Sequence, residues 1–154
     1  MMDFNEALNM KSEEIKRPPA LPAGYYTVIV KSYDFGEVSS DKGEWKTIDF
    51  RMEFLSADED SVDPDELEAY GELAGTVRNH RFMYPVDNAR GQASTLANIN
   101  DFIEKHLGAD VAGMSLAEAI AEAPNHQCRV EVNHRPGRQE GEIYDQIRRT
   151  LPVE

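Results

Sequence analysis

Trp45-Lys46-Thr47-Ile48-Asp49-Phe50-Arg51-Met52-Glu53-Phe54-Leu55 alternates apolar and polar side chains almost without a break. Ile48, Phe50, Met52 and Phe54 share one parity, and Thr47, Asp49, Arg51 and Glu53 share the other. A period of two marks a strand with one buried and one wetted face. A helix would scatter the same residues around its axis. The chain is therefore expected to be mainly β, with its other elements arranged around this strand.

Upstream, the turn residues Pro22-Ala23-Gly24 lead into Tyr25–Tyr33, a run of β-branched and aromatic residues that reads as the first strand. Ser39–Gly43 is a polar turn between the two. Residues 1–20, with Pro18-Pro19 stiffening their end, read as an N-terminal arm before a single domain spanning 21–151. Downstream, residues 56–75 lack strand periodicity and read as an exposed acidic loop, with a helical turn possible over Asp65–Leu73. Thr76–Tyr84 is the third strand, stopped by Pro85.

From Ser94 the spacing becomes helical. Leu96, Ile99, Phe102, Ile103 and Leu107 share one side, with Ser94 as expected N-cap and Gly108 as stop. Ser115-Leu116-Ala117-Glu118 has the form of a capping box for a second short helix over Leu116–Ala123. Gln127–Arg135 and Gly141–Arg148 complete the set as alternating strands joined by the turn Arg135–Arg138. Five strands with a helix between the third and fourth is the order of the oligonucleotide/oligosaccharide-binding (OB) barrel. A general α+β sheet with a helix on one face gives a similar string.

The 154 residues carry a formal net charge of −13, which taken alone argues against a nucleic-acid partner. Its distribution weakens that objection. Ala57–Leu73 holds eight acids and no Lys or Arg, so most of the excess is local. No apolar run approaches the roughly 18–20 residues that span a bilayer, and Met1–Glu6 lacks the basic start and apolar stretch of a secretory signal. A cytoplasmic protein is expected, with no membrane partner. The single cysteine, Cys128, leaves no internal disulfide.

No phosphate-binding glycine loop, dinucleotide fingerprint, serine elbow or His-Glu-x-x-His motif occurs, and the four histidines are far apart in sequence. Neither catalysis nor a bound metal or cofactor is expected. Chemistry of another kind is suggested by Thr76–Tyr84, whose alternate residues Arg78, His80, Phe82 and Tyr84 mix cations with rings. Bases stack on such rings for about 1–3 kcal/mol each while arginines meet phosphates. The same pattern also arises when Phe82 and Tyr84 fill a core and Arg78 snorkels outward. Alternation leaves open whether this face or that of Val77, Asn79, Arg81 and Met83 looks outward. Arg78, Phe82 and Tyr84 are the leading candidate contacts. His80, Trp45, Arg51, Arg129 and Arg148 follow.

Leu21-Pro22-Ala23-Gly24-Tyr25-Tyr26, Lys42-Gly43-Glu44-Trp45, Gly75-Thr76-Val77, the Leu96–Leu107 helix, Cys128-Arg129-Val130-Glu131-Val132 and Gly141-Glu142-Ile143-Tyr144 together resemble a set of phage and prophage single-stranded-DNA-binding proteins of the OB fold. The resemblance covers about Pro19 to Leu151. It implies a protein of the host cytoplasm that coats exposed single-stranded DNA in replication or recombination, has replication or recombination proteins as partners, and does no chemistry. Residues Met1–Arg17 would be free to reach a neighbouring copy in a homo-oligomer. The acidity favours a competing class, an acidic phage protein that decorates a virion or mimics DNA to occupy a host protein. The position of the arginines discriminates: a contiguous basic-aromatic groove speaks for strand binding, dispersal in salt bridges for the alternative.

Overall fold

The computed structural model describes residues 3–12 and 19–153. After a short helix α1 (Phe4–Leu8), the chain forms β1 (Gly24–Ser40), β2 (Gly43–Ala57), α2 (Pro64–Tyr70), β3 (Val77–Pro85), α3 (Ala89–Asp101), a π-helical turn (Phe102–His106), α4 (Leu116–Glu122), β4 (Gln127–Pro136) and β5 (Ile143–Leu151). The strands make one antiparallel sheet in the order β3-β2-β1-β4-β5. Among the described residues no helix is long and apolar enough to cross a membrane.

The alternating segment behaves as its pattern dictates. Phe50, Met52 and Phe54 are buried on the inner face of β2, joined by Tyr26, Val28 and Val30 of β1 and by Cys128, Val130 and Val132 of β4. Ile99, Phe102, Ile103, Ala119 and Ile120 close this core from the helical connection between β3 and β4. Phe102 anchors the lid, its ring 4.9 Å from that of Phe50 and 5.6 Å from that of Phe82. Thr47, on the polar parity, is nonetheless buried. It faces Gly36 of β1, where an added Cβ would stand 3.1 Å from its hydroxyl.

Several expectations change. The first strand runs to Ser40 rather than Tyr33, because residues 34–40 pair in full with 43–49 of β2 around the two-residue turn Asp41-Lys42. That ladder overrides the poor strand propensity of Asp34, Gly36 and Glu37. The third helix starts at Ala89 rather than Ser94, since Asn88 already caps it through its side-chain oxygen on the Gly91 amide at 2.9 Å. The last strand is displaced to Ile143–Leu151, in register with Arg129–Pro136 of β4. Leu96, placed on the buried side with Ile99, is 41% exposed.

The acidic segment is more ordered than a solvated loop. Asp63 caps α2, Val62 is buried, and Leu67, Tyr70 and Leu73 pack against the core. Val62 fits because position 24 is glycine: its φ is +140°, and a Cβ there would lie 2.6 Å from Val62 Cγ2 and 2.9 Å from the Ser61 carbonyl.

The barrel expected from the strand order is not closed by hydrogen bonds. β3 and β5 are the two edges of an open sheet. α3 packs on β3 and the π-helical turn on β5, so helix rather than ladder covers the seam. Arg78 of β3 bridges it to Asp145 of β5, and the covering turn is tied to β5 where His106 Nδ1 lies 2.7 Å from the Thr150 hydroxyl.

Candidate nucleic-acid interface

The register between β2 and β3 decides which way the basic-aromatic strand looks. Arg78, His80, Phe82 and Tyr84 stand opposite Met52, Phe50, Ile48 and Lys46, on the parity that forms the core face of β2. All four are half-buried, whereas Asn79, Arg81 and Met83 are exposed. The face carrying the leading candidates therefore turns inward, under the helices. Phe82 packs edge-on against Phe50 at 5.8 Å and against the His80 ring at 4.8 Å.

At one end of the seam Arg78 is committed to Asp145. Its Nε and Nη2 donate to the two carboxylate oxygens at 2.6 and 2.9 Å, and its Nη1 donates to the Val77 carbonyl. Asp145 also accepts from the Leu21 amide at 2.8 Å. Burial opposes ionisation of Asp145, but these hydrogen bonds outweigh it and hold the carboxyl below its ordinary range. With Asp145 only 10% exposed and Arg78 34%, the pair joins the strands rather than meeting solvent.

Further along, the seam opens into a groove of about 380 Å³. β3 contributes His80, Arg81 and Phe82, α3 Asn98 and Asp101, the π-helical turn Phe102, Lys105 and His106, and β5 Arg148, Arg149 and Thr150. Burial, with the nearby His106 charge as a smaller cause, pushes His80 down to about 4, so its ring is neutral at pH 7. The groove thus gathers neutral rings, four cations and the Asp101 carboxylate.

Each cation has a counter-ion. Arg81 chelates Asp49 at 2.7 and 3.0 Å, Lys105 meets Asp101 at 3.2 Å, and Arg148 and Arg149 share Glu131 at 3.3 and 2.7 Å. The sharing follows from a register irregularity between Glu131 and Val132 of β4. Arg149 pairs with Glu131 and Ile147 with Val132, which leaves Arg148 as the extra residue of a bulge. Two cations then share one carboxylate, and Arg149 also donates through Nη2 to the Tyr25 hydroxyl at 2.9 Å. The four side chains are 48–67% exposed, so these pairs sit in high dielectric and exchange partners at little cost.

Of the residues singled out in the sequence, the groove brings together His80, Phe82 and Arg148. Arg78 lies beside them in its clamp. Tyr84 points into a separate apolar groove under α3 and α4. Trp45 and Arg51 lie on the outer face of β2, opposite Pro85 and Asn79 respectively. Arg129 does not line the groove; it lies on the outer face of β4 with Glu131, over the Tyr25 ring at 5.3 Å and 3.6 Å from Asp58, and the hydroxyl of that tyrosine accepts from Arg149 at 2.9 Å. Arg81, Lys105, His106 and Arg149 are groove residues that were not among the candidate contacts. Arg149 had a signal in its neighbour Arg148, and Lys105 in its i, i+4 spacing from Asp101; Arg81 needed the register. Among the described residues no three His, Cys, Asp or Glu side chains converge as a metal site.

A scan of the chain against protein-family models gives no match, and no curated protein is significantly similar to it.

Proposed function

We propose that this protein binds single-stranded nucleic acid, DNA by the resemblance of its sequence, and coats exposed strands during replication or recombination without doing chemistry. The observation that carries this reading is the β3–β5 groove, whose lining brings Arg81, Lys105, Arg148 and Arg149 together with His80, Phe82 and Phe102 and a single acid, Asp101. Exposed cations spaced along an aromatic-based channel are what a phosphate backbone with splayed bases requires. The strand order supports the same reading. The order β3-β2-β1-β4-β5, with β3 and β5 joined by side chains at an open seam, is compatible with the partly open OB barrel that this reading implies. Arg51, exposed on the outer face beside Asn79, extends the cationic track onto β2.

Fluorescence anisotropy with single- and double-stranded oligonucleotides at two salt concentrations tests the proposal. The single strand should bind more tightly, and binding should weaken with salt. Absence of binding to either at low salt rejects it.

One observation favours a second reading. Arg78, Arg81, Arg129, Arg148 and Arg149 all stand in ion pairs, and the acidic segment is folded onto the domain instead of trailing from it. An acidic interaction protein, decorating a virion or occupying the DNA site of a host protein, would look like this. It would bind no oligonucleotide and would instead retain a basic partner through Ala57–Leu73.

A further inference from the structure

Tyr25 and Tyr26 stand side by side at the start of β1 and face opposite ways. Tyr26 is 1% exposed, its ring edge-on to Phe54 at 5.2 Å and its hydroxyl donating to the Pro22 carbonyl at 2.6 Å. Tyr25 takes no part in that core and lies half-buried on the outer face. Strand register sets it in a row: Tyr25 pairs with Glu131 of β4, and Glu131 with Arg149 of β5. Two strand spacings, about 10 Å of backbone, therefore separate Tyr25 from an arginine that lines the β3–β5 groove. The side chains close that gap. Arg149 Nη2 donates to the Tyr25 hydroxyl at 2.9 Å, and the Arg129 guanidinium stands over the Tyr25 ring at 5.3 Å. Tyr25 is thus a ring held between two arginines, just outside the groove.

We propose that Tyr25 is a second stacking platform for a single strand of nucleic acid, reached from the groove over the β5 bulge, with Arg129 and Arg149 as the phosphate contacts beside it. The proposal rests on single-strand binding by the groove and extends its path. The Arg78–Asp145 pair closes the seam in one direction. In the other, Arg148 and Arg149 are 59% and 51% exposed, and the row Arg149-Glu131-Tyr25 leads onto the outer face. Arg129 covers the ring where a base would lie, so stacking exchanges a cation–π contact for a base. The exchanged guanidinium keeps its charge at the site and meets the adjoining phosphate in place of Asp58, 3.6 Å away. Arg149 exchanges Glu131 for phosphate in the same way while its bond to the hydroxyl keeps the ring in position. The chemistry matches that of the groove, a ring flanked by exchangeable cations, and the row joins the two into one track.

Oligothymidylates of two lengths test this by fluorescence anisotropy at low salt: about five nucleotides, enough for the groove, and about fifteen, enough for groove and platform together. Tyr25→Leu should weaken the longer strand about tenfold and leave the shorter one unchanged. Tyr25→Phe keeps the ring and should bind both within about twofold of the unaltered protein. Arg129→Ala should lower the salt dependence by about one phosphate contact for the longer strand alone. A measurement on the unaltered protein removes any effect of substitution on folding: the longer strand carrying 5-iodouracil should photocrosslink to Tyr25, located by mass spectrometry. Equal loss at both lengths in Tyr25→Leu would make the tyrosine a structural support, and crosslinks confined to His80 and Phe82 would keep the strand inside the groove. Either result, or a Tyr25→Leu variant that binds the longer strand normally, overturns the platform and leaves the groove in place. If the unaltered protein binds neither length, the groove reading falls and the platform with it.

Discussion

The two ends of the β3–β5 seam use the same chemistry for opposite purposes. At one end Arg78 and Asp145 form a bidentate pair, 34% and 10% exposed; at the other Arg148 and Arg149, 59% and 51% exposed, divide Glu131, which is 19% exposed. Stoichiometry and burial, not residue type, separate a clamp from a binding surface. A one-to-one pair shielded from water cannot be exchanged for a phosphate without stranding a charge. Two exposed cations on one carboxylate have a surplus to offer. An arginine count from the sequence treats all three alike.

The clamp should give the largest effect. Arg78→Met leaves Asp145 facing the seam with only the Leu21 amide, and should cost about 3 kcal/mol of stability, the lower end for breaking a buried pair because Arg78 is partly exposed. Urea unfolding measures it. Replacing Arg148 and Arg149 together should leave the urea midpoint almost unmoved. A double variant as unstable as Arg78→Met would erase the distinction between the two ends.

His80 sets the next effect, through pH. Its pKa is lowered to about 4 in the fold from about 6.5 in the unfolded chain. Between those values the unfolded state binds the proton and the fold does not, so stability falls as pH drops from about 6.5 to about 4, by up to roughly 2–3 kcal/mol. His80→Gln should flatten that limb of the stability profile. Asp145, with its pKa depressed, contributes stability present above its unfolded pKa near 3.9 and lost as pH falls through its lower folded value. The two limbs occupy different windows, so Asp145→Asn should leave the His80 limb in place.

How far the sequence reveals this division depends on what each strand is made of. β2 is readable because one parity is apolar from Ile48 to Phe54: Ile48, Phe50, Met52 and Phe54 admit a single orientation. β3 carries polar residues on both parities, and only its pairing of His80 with Phe50 and Phe82 with Ile48 decides that Arg78, His80, Phe82 and Tyr84 face inward. Arg78 and Asp145 are far apart in sequence, and nothing local in either announces the other. The spacing of Ile99, Phe102, Ile103 and Leu107 does disclose a buried helical face, but not the π-helical turn that places Lys105 and His106 over β5. The acidic segment looked like solvent-exposed loop because its charges hide Val62, Leu67 and Leu73, the few residues that fasten it down.

At the open end the effects are on binding. Arg148→Ala with Arg149→Ala should reduce single-strand affinity at least tenfold at low salt and lower the salt dependence by about one phosphate contact for each arginine. Arg78→Ala, measured below its unfolding range, should leave that slope unchanged. Equal slopes for all three substitutions would place the contact outside the groove.

The smallest effect bears most directly on the comparison. Glu131→Gln keeps the shape of the β4 side chain and removes the charge that Arg148 and Arg149 share. Hydrogen bonds from the two guanidinium groups hold its carboxyl below the ordinary range despite the opposing effect of burial, so it is ionised at neutral pH and competes with phosphate for both cations. The variant should therefore bind single strands a few-fold more tightly at low salt, with the gain fading as salt screens the competition it relieves. Asp145→Asn, the matching change at the clamp, should lower stability and raise no affinity, since Arg78 does not line the groove. If both changes strengthen binding equally, the gain is only the loss of a negative charge somewhere on an acidic protein. If Glu131→Gln alone does so, the arginines at the bulge are the ones that meet the strand.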